Sequence, residues 1–367
     1  MAKTEFGVNH SLAVKLWSKI LAREAIRKTW MQKFIGKDDN SLIYEKIDLR
    51  KDAGDKITCG LVIDLEGDGV QGDGTLEGNE ESMQFFNDSL FVDQLRNGVR
   101  INGRMTEKRV PYDLRYTAKE RLAQWYAKRF DISFFNHICG NTVQSDSRYT
   151  GNNTVTAPTT NRIFRPNSVA TDQALAAGDE FSLELVDFAK EKAITASTEA
   201  STGPLIRPIM MDGGEYYVMF LHDYQVTDLR TSTSTGQWLD IQKAAMQGGD
   251  VAKNPVFSGA LGVYNGVILH QAARVTQGVH STAGTAVTTS RRAVLCGCNS
   301  ALIAFGGEND DTRYSWVEKS FDYDNQLGVA AGAIWGLKKS IYAPESGSTN
   351  QEDYGTVVVP TYAVAHA

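Results

Sequence analysis

A chain of 367 residues with 44 acidic and 38 basic side chains carries a net charge of -6, which speaks against a dedicated nucleic-acid binder, since those normally show a basic excess. Its 42% hydrophobic and 22% charged residues fit an ordinary folded protein that can bury a large core in two or three subdomains. Four scattered cysteines, Cys59, Cys139, Cys296 and Cys298, exclude a disulfide framework and fit a reducing cytoplasm; no apolar run reaches the length of a membrane span, and the basic first 36 residues do not read as a signal peptide.

Residues 1–10 read as a loose arm. Ser11 suits a helix cap for SLAVKLWSKILAREAIRKTWMQKFIG, where Leu12, Leu16, Ile20, Ile26, Trp17 and Trp30 offer apolar surface and Gly36 is the stop. Lys15, Lys19, Arg23, Arg27, Lys28 and Lys33 make this the most basic segment, on the plain reading a solvated helix face.

Ile57, Cys59, Leu61, Ile63 and Leu65 alternate with Thr58, Gly60, Asp64 and Glu66, the period of a half-buried strand. After the acidic, glycine-rich GDGVQGDGTLEGNEE the alternation returns, with Phe91, Leu95, Val99, Ile101 and Met105 on one face and Gln94, Arg96, Arg100, Asn102 and Arg104 on the other. Paired, the two runs would make a ribbon reaching on the order of 30 Å. An isolated two-stranded ribbon is marginal in water, so its apolar face needs a surface to lie on. Asp64 and Glu66 on the outgoing strand would face Arg96, Arg100 and Arg104. Such pairs contribute some tenths of a kcal/mol each, and they fit either a ladder within one chain or contact with a neighbouring chain. Asp64, Glu66, Asp68 and Gly69 imitate the start of a calcium loop, but the twelfth position holds Thr75 and the eighth Gln71, so no metal is expected there.

Pro111 suits a first helical position, and DLRYTAKERLAQWYAKRFDISFFNHICG follows without a breaker. Leu114, Ala118, Leu122 and Trp125 form a stripe flanked by Tyr126, Phe130 and Phe134, which predicts a helix of roughly 35 Å. Beyond Gly140 the composition turns to Ser, Thr and Asn through Asn167, a subdomain boundary. Asp179 is expected to cap EFSLELVDFAKEKAIT, followed by β-like runs over Glu215–Leu221 and Gly259–Gln271 and a short helix around Trp238–Met246. Residues 275–290 read as an exposed loop by composition. RRAVLCGCNSALIAFG reads as a buried strand running into a short helix, WVEKSFDYDNQLGVAAGAIWGLKKSIYA as β-rich, and Thr356–Val359 as strand-like.

Little of this points to catalysis. Cys296 and Cys298 lack a partner pair with zinc-like spacing, so buried strand cysteines are expected. The six histidines are dispersed, and His222 beside Asp223 is expected at a helix or strand terminus instead of acting as a general base. No Walker loop, dinucleotide fingerprint or nucleophile elbow is present, and Asp310, Asp311, Asp322 and Asp324 read as a hydrated acidic run.

The order of amphipathic helix, strand, GDGVQGDGTLEGNEE, arginine-bearing strand, RVPYDLR and long helix resembles the N-terminal half of major capsid proteins of N4-like podophages. The likeness is strongest over residues 10–136 and near 321–342. It implies an α+β chain with the HK97-type capsid fold: an N-terminal arm and helix over 1–50, an extended β-hairpin loop over 51–110, and a long spine helix over 111–140 with a peripheral β-sheet. A mixed α/β central domain over 141–310 and return strands with a C-terminal tail over 311–367 would complete it. The resemblance implies no enzyme and no cofactor, but a structural protein that self-assembles. Its partners would be further copies in hexamers and pentamers of an icosahedral shell around double-stranded DNA, with portal, scaffolding and decoration proteins and no membrane. Intersubunit contacts are then expected at Trp17, Trp30, Glu77, Glu80, Glu81, Arg96, Arg100, Arg104 and Arg109, with the basic N-terminal helix clasping another subunit or facing DNA. The protein would reside in the virion after synthesis in the host cytoplasm. Two alternatives stay open: an encapsulin-like shell that encloses cargo enzymes, and a soluble metal-binding enzyme that uses the acidic loops.

Overall fold

The computed structural model describes residues 24–25, 29–46, 54–62, 69–80, 83, 85–111, 113–195, 205–211, 213–231, 260–306, 314–342 and 351–366, with backbone alone at 61–62 and 85–87. Trp17, Glu81, most of the basic N-terminal helix and the expected helix around Trp238–Met246 lie outside the described residues. In chain order the first strands are β1 (Ile35–Gly36), β2 (Ile43–Lys46), β3 (Lys56–Val62), β4 (Phe85–Phe91) and β5 (Asp93–Ile101). Helices α1 (Arg104–Arg109), α2 (Leu114–Ile138) and α3 (Leu183–Thr195) follow, then β6 (Ile209–Met211), β7 (Gly214–Leu221) and helix α4 (Asp223–Thr231). The second half adds β8 (Ala260–Tyr264), β9 (Val267–Gln271), β10 (Gln277–Val279), β11 (Ala286–Cys296) and β12 (Ala301–Phe305). It ends with β13 (Tyr314–Phe321), β14 (Gln326–Lys339), β15 (Ile341–Tyr342), β16 (Glu352–Asp353) and β17 (Thr356–Tyr362). The α+β class expected from the sequence is the one observed.

Helix α2 organises the molecule. Asp113 caps it, its carboxylate accepting the backbone N–H groups of Arg115 and Tyr116 at 3.0 and 3.1 Å, so the helix starts after Asp113 and not at Pro111. Its C-terminus closes with Asn141 N–H on Asn136 O and Gly140 N–H on His137 O, a Schellman ending. Gly140 sits at φ +64°, and a Cβ there would lie 2.4 Å from Pro158 Cδ. Twenty-five helical residues span about 37 Å at 1.5 Å each.

Two sheets flank this helix. The first has six strands in the order β1-β2-β12-β14-β13, with β5 also on β14; the second has seven, β10-β11-β7-β9-β8 with β17 on β11 and β6 on β7. Leu122, Tyr126, Phe130 and Phe134 turn the buried face of α2 onto Ile303, Phe305, Tyr314 and Trp335 of the first sheet, with Phe130 meeting Trp335 edge-on at 4.5 Å. The Tyr126 hydroxyl lies 3.0 Å from Leu95 O and 2.8 Å from Ala331 O, tying β5 and β14 to the helix. Toward the second sheet, Phe220 gathers Trp30, Phe34, Phe134 and Phe135 at 5.3 to 5.9 Å. Trp30–Phe34, a 3-10 turn, is therefore a wedge that joins helix to sheet, and Trp30 packs on its own subunit.

Several expectations need correction. β3 pairs with β4, Lys56 opposite Phe91 through Val62 opposite Phe85, whereas β5 pairs with β14, Ile101 opposite Leu327 through Asp93 opposite Trp335. The ribbon is thus made of β3 and β4, and the arginine-bearing strand belongs to the first sheet. Gly103, at φ +73°, ends the extended run, so Arg104 and Met105 open α1 instead of continuing a strand. Residues 286–296, read in part as loop, form the long β11, and Ala301–Phe305 is strand and not helix, because every residue there is buried between layers. The C-terminal strand β17 lies in the second sheet against β11. His222 stands at the junction of β7 and α4, as expected.

Candidate assembly interface

The ribbon leaves the body at a junction built by three small residues, Gly151, Asn152 and Asn153. The Asn153 side chain accepts Phe91 N–H at 2.9 Å and donates to Phe91 O and Gly151 O, each at 2.9 Å. It thereby occupies the place of a strand partner where β4 gives way to β5. Asn152, at φ +62°, donates to Trp335 O at 2.6 Å and Asp93 O at 3.3 Å, and Gly151 O accepts Leu337 N–H at 2.9 Å. A Cβ on Gly151 would lie 2.8 Å from Leu337 Cβ, and one on Gly336 only 2.0 Å from Phe91 O. Gly336 therefore lets the ribbon root cross β14 in backbone contact.

Root and tip of this extension differ in burial. Ile57, Cys59 and Leu90 are buried with Leu302 and Ala304 of the first sheet, so the root rests on its own body. Asp88 is buried and pairs with Lys338. Residues 69–80 are exposed throughout, including Leu76 at 59%, while Met83 is 66% exposed. Glu77 and Glu80 lie in this exposed stretch, Glu80 accepting Gly78 N–H at 2.7 Å.

The arginines expected at contacts fall on the outer face of the first sheet and the helix beside it. Arg96 pairs with Gly332 and Arg100 with Gly328, whereas Asp64 and Glu66, expected opposite them, lie outside the described residues. Arg100 lies 4.2 Å above the Phe321 ring and Lys319 5.4 Å from it. Val317 and Ile334 are 55% and 40% exposed, on the same side as Arg96 by strand parity. Arg104 and Arg109 bracket α1, which has no buried residue.

Buried charges hold these surfaces in register. Arg115 grips Glu318 through two contacts of 2.9 and 2.8 Å, clipping the first turn of α2 to β13, and Trp316 N–H donates to the same carboxylate at 2.8 Å. Asp131 accepts Met31 N–H at 3.3 Å and pairs with Arg274 at 2.9 Å, and burial pushes its carboxyl up to about 6 against the pull of Arg274 and those N–H groups. Lys339 and Asp353 form a buried pair at 2.7 Å. His137, fully buried with Nε2 2.7 Å from Thr150 O, is held near 4 by burial despite that hydrogen bond.

Among the described residues, no reaction centre is assembled. Cys296 and Cys298 are buried; burial pushes both thiols up, Cys298 to about 11, the reverse of an activated nucleophile. Among the described residues, no three His, Cys, Asp or Glu side chains gather to hold a metal. A groove of about 1250 Å³ runs between residues 163–170, α3 and α4, lined by Glu180, Glu184, Lys192, Asp228 and His366. It is wide and polar, unlike the mostly apolar clefts that enclose small ligands.

A family model described as phage capsid protein matches residues 5–365. The major capsid protein of Pseudomonas phage KPP25 is 29% identical over 371 aligned residues, 94% of this chain and 93% of that protein. Among solved structures, the capsid of Ralstonia phage GP4 superposes with a TM-score of 0.78 at 29% identity, covering 92% of each chain. The Cyanophage Pam1 capsid does so with 0.68 at 21%, covering 100% of this chain and 95% of that one; that second likeness bears on the fold alone. The helix, its two sheets and the extended ribbon are the HK97-type capsid arrangement. The chain belongs to the phage capsid protein family, as a structural component of the virion shell and not an enzyme.

Proposed function

We propose that this is the major capsid protein of a tailed phage and that its copies close, as hexamers and pentamers, into an icosahedral shell around double-stranded DNA. One observation carries the reading: a ribbon rooted in its own sheet ends in an exposed acidic stretch over 69–80 bearing Val70, Leu76 and three carboxylates, Asp73, Glu77 and Glu80. Exposed apolar side chains on an extension are satisfied when a neighbouring copy covers them. On this reading the first sheet with α2 is the peripheral domain, and the second sheet with α3 and α4 is the part nearer the capsomer axis. The motif order supports the finer placement among N4-like podophage capsid proteins. On the same reading, portal, scaffolding and decoration proteins are candidate further partners, and DNA faces the inner surface.

Sedimentation and negative-stain electron microscopy of the purified full chain provide the test. Uniform closed particles are expected at micromolar concentration, alone or with a scaffold. A monodisperse monomer or small oligomer under every such condition would remove the proposal. Purified particles that hold host enzymes and exclude DNA would favour the cargo-enclosing alternative.

A further inference from the structure

At the far end of the first sheet, two exposed features sit side by side. One is the knuckle joining β13 to β14, Asp322-Tyr323-Asp324. All three residues lie at positive φ, 53°, 49° and 65°, and Tyr323 projects fully into solvent at 105% of its reference exposure. The other is α1. Asn325 links the two, its Oδ1 accepting Arg104 N–H at 3.3 Å, and Gln326 donates to Asn102 Oδ1 at 3.0 Å.

Helix α1 presents Arg104, Lys108 and Arg109, all exposed, around Met105, which is 63% exposed. Six residues are too few for a helix to persist unsupported in water, where about 12 to 15 are marginal, and no α1 side chain is buried against its own subunit. The knuckle is its complement in kind: two carboxylates around one aromatic ring, against three cations around one thioether. The two are neighbours on the same tip, and no described side chain of the subunit closes an ion pair with either set.

We infer that the knuckle of one subunit docks on α1 of a second copy of this chain, Tyr323 against Met105 with Asp322 and Asp324 among Arg104, Lys108 and Arg109. Repeated head-to-tail with a rotation that closes, the contact makes a ring about a local axis and gives a ladder of cross-linked species; reciprocated between two copies, it sits on a two-fold axis and gives dimers alone. Sulfur-aromatic contact and a tyrosine anchor supply the apolar centre, and the charges form the rim. This rests on the shell reading above and adds to it the pair of surfaces that meet.

The test uses the full chain. Met105→Cys with Tyr323→Cys, in assembled particles under mild oxidation, is expected to give cross-linked species on a non-reducing gel, a ladder for the ring or dimers for the two-fold; Cys59, Cys139, Cys296 and Cys298 are buried and leave little background. Asp322→Lys with Asp324→Lys is expected to cut the yield of closed particles at least about tenfold, as like charges now meet across the rim. Adding Arg104→Glu with Arg109→Glu is expected to restore it. An unchanged urea midpoint of the unassembled subunit separates these effects from misfolding. Particles that form normally with the lysine knuckle and give no cross-linked species overturn this contact while the shell reading stands. A wild-type chain that never assembles overturns both.

Discussion

Asn153 is the residue whose loss should uncouple the ribbon from the body. Asn153→Leu keeps the number and branching of heavy atoms, but three hydrogen bonds of 2.9 Å vanish together, leaving Phe91 N–H and Phe91 O without that partner while Gly151 O keeps Leu337 N–H. With each such bond worth about 1 kcal/mol and each buried group left unpaired costing 1 kcal/mol or more, the loss is about 3 kcal/mol. Asn153→Asp sharpens the test: it keeps the acceptor for Phe91 N–H but sets a carboxylate oxygen against two carbonyls, so it should be no better than leucine despite being isosteric. Urea denaturation of unassembled subunits measures the stability, and protection of 56–62 and 85–91 in hydrogen exchange reports on the root directly. A loss under about 1 kcal/mol with unaltered exchange would refute the claim that Asn153 stands in for a strand partner.

Other perturbations test other parts. His137, held near 4 against an ordinary 6.5, stays neutral in the fold while the unfolded chain takes up a proton, so it lowers stability as pH falls below 6.5. Between pH 7 and 5 that is about 2 kcal/mol at 1.36 kcal/mol per unit, which His137→Gln should largely abolish in paired denaturation curves. Asp131, raised to about 6, acts with the opposite sign, its contribution growing as pH falls from 6 toward 4, and Asp131→Asn should remove that slope. Lys339→Met alone should cost about 3 to 5 kcal/mol by stranding Asp353, and Lys339→Met with Asp353→Leu markedly less, read from urea midpoints. EDTA or added calcium should leave the melting temperature unchanged; a rise with calcium would revive the metal-binding alternative.

What the sequence made legible was what periodicity and end signals encode. The spine helix stood out because Leu122, Tyr126, Phe130 and Phe134 recur at helical spacing with a glycine stop at Gly140, and its first residue, Leu114, lies three beyond Pro111 because Asp113 supplies the acceptor for the first N–H groups. The alternation of β5 was read correctly and its partner wrongly: period two says which residues share a face, but not which strand lies alongside. Phe85–Phe91 concealed itself as the ribbon's second strand because Asp88, buried to meet Lys338, breaks its apolar run. Asn152 and Asn153 sat in a polar stretch that composition marks only as loop, and asparagine's tolerance of positive φ was the one available signal. Of the expected contact residues, Trp30 packs against Phe34, Phe135 and Phe220 of its own subunit. A helical aromatic beside a basic face looks the same in sequence whether its cover comes from the same chain or another.

The most direct test is a near-atomic cryo-electron microscopy reconstruction of assembled particles. Density for residues 69–80 of each subunit is expected to lie on an adjacent copy, with Leu76 covered there. Density showing that stretch folded back over its own sheet, in particles whose subunits touch only through other surfaces, would contradict the central claim.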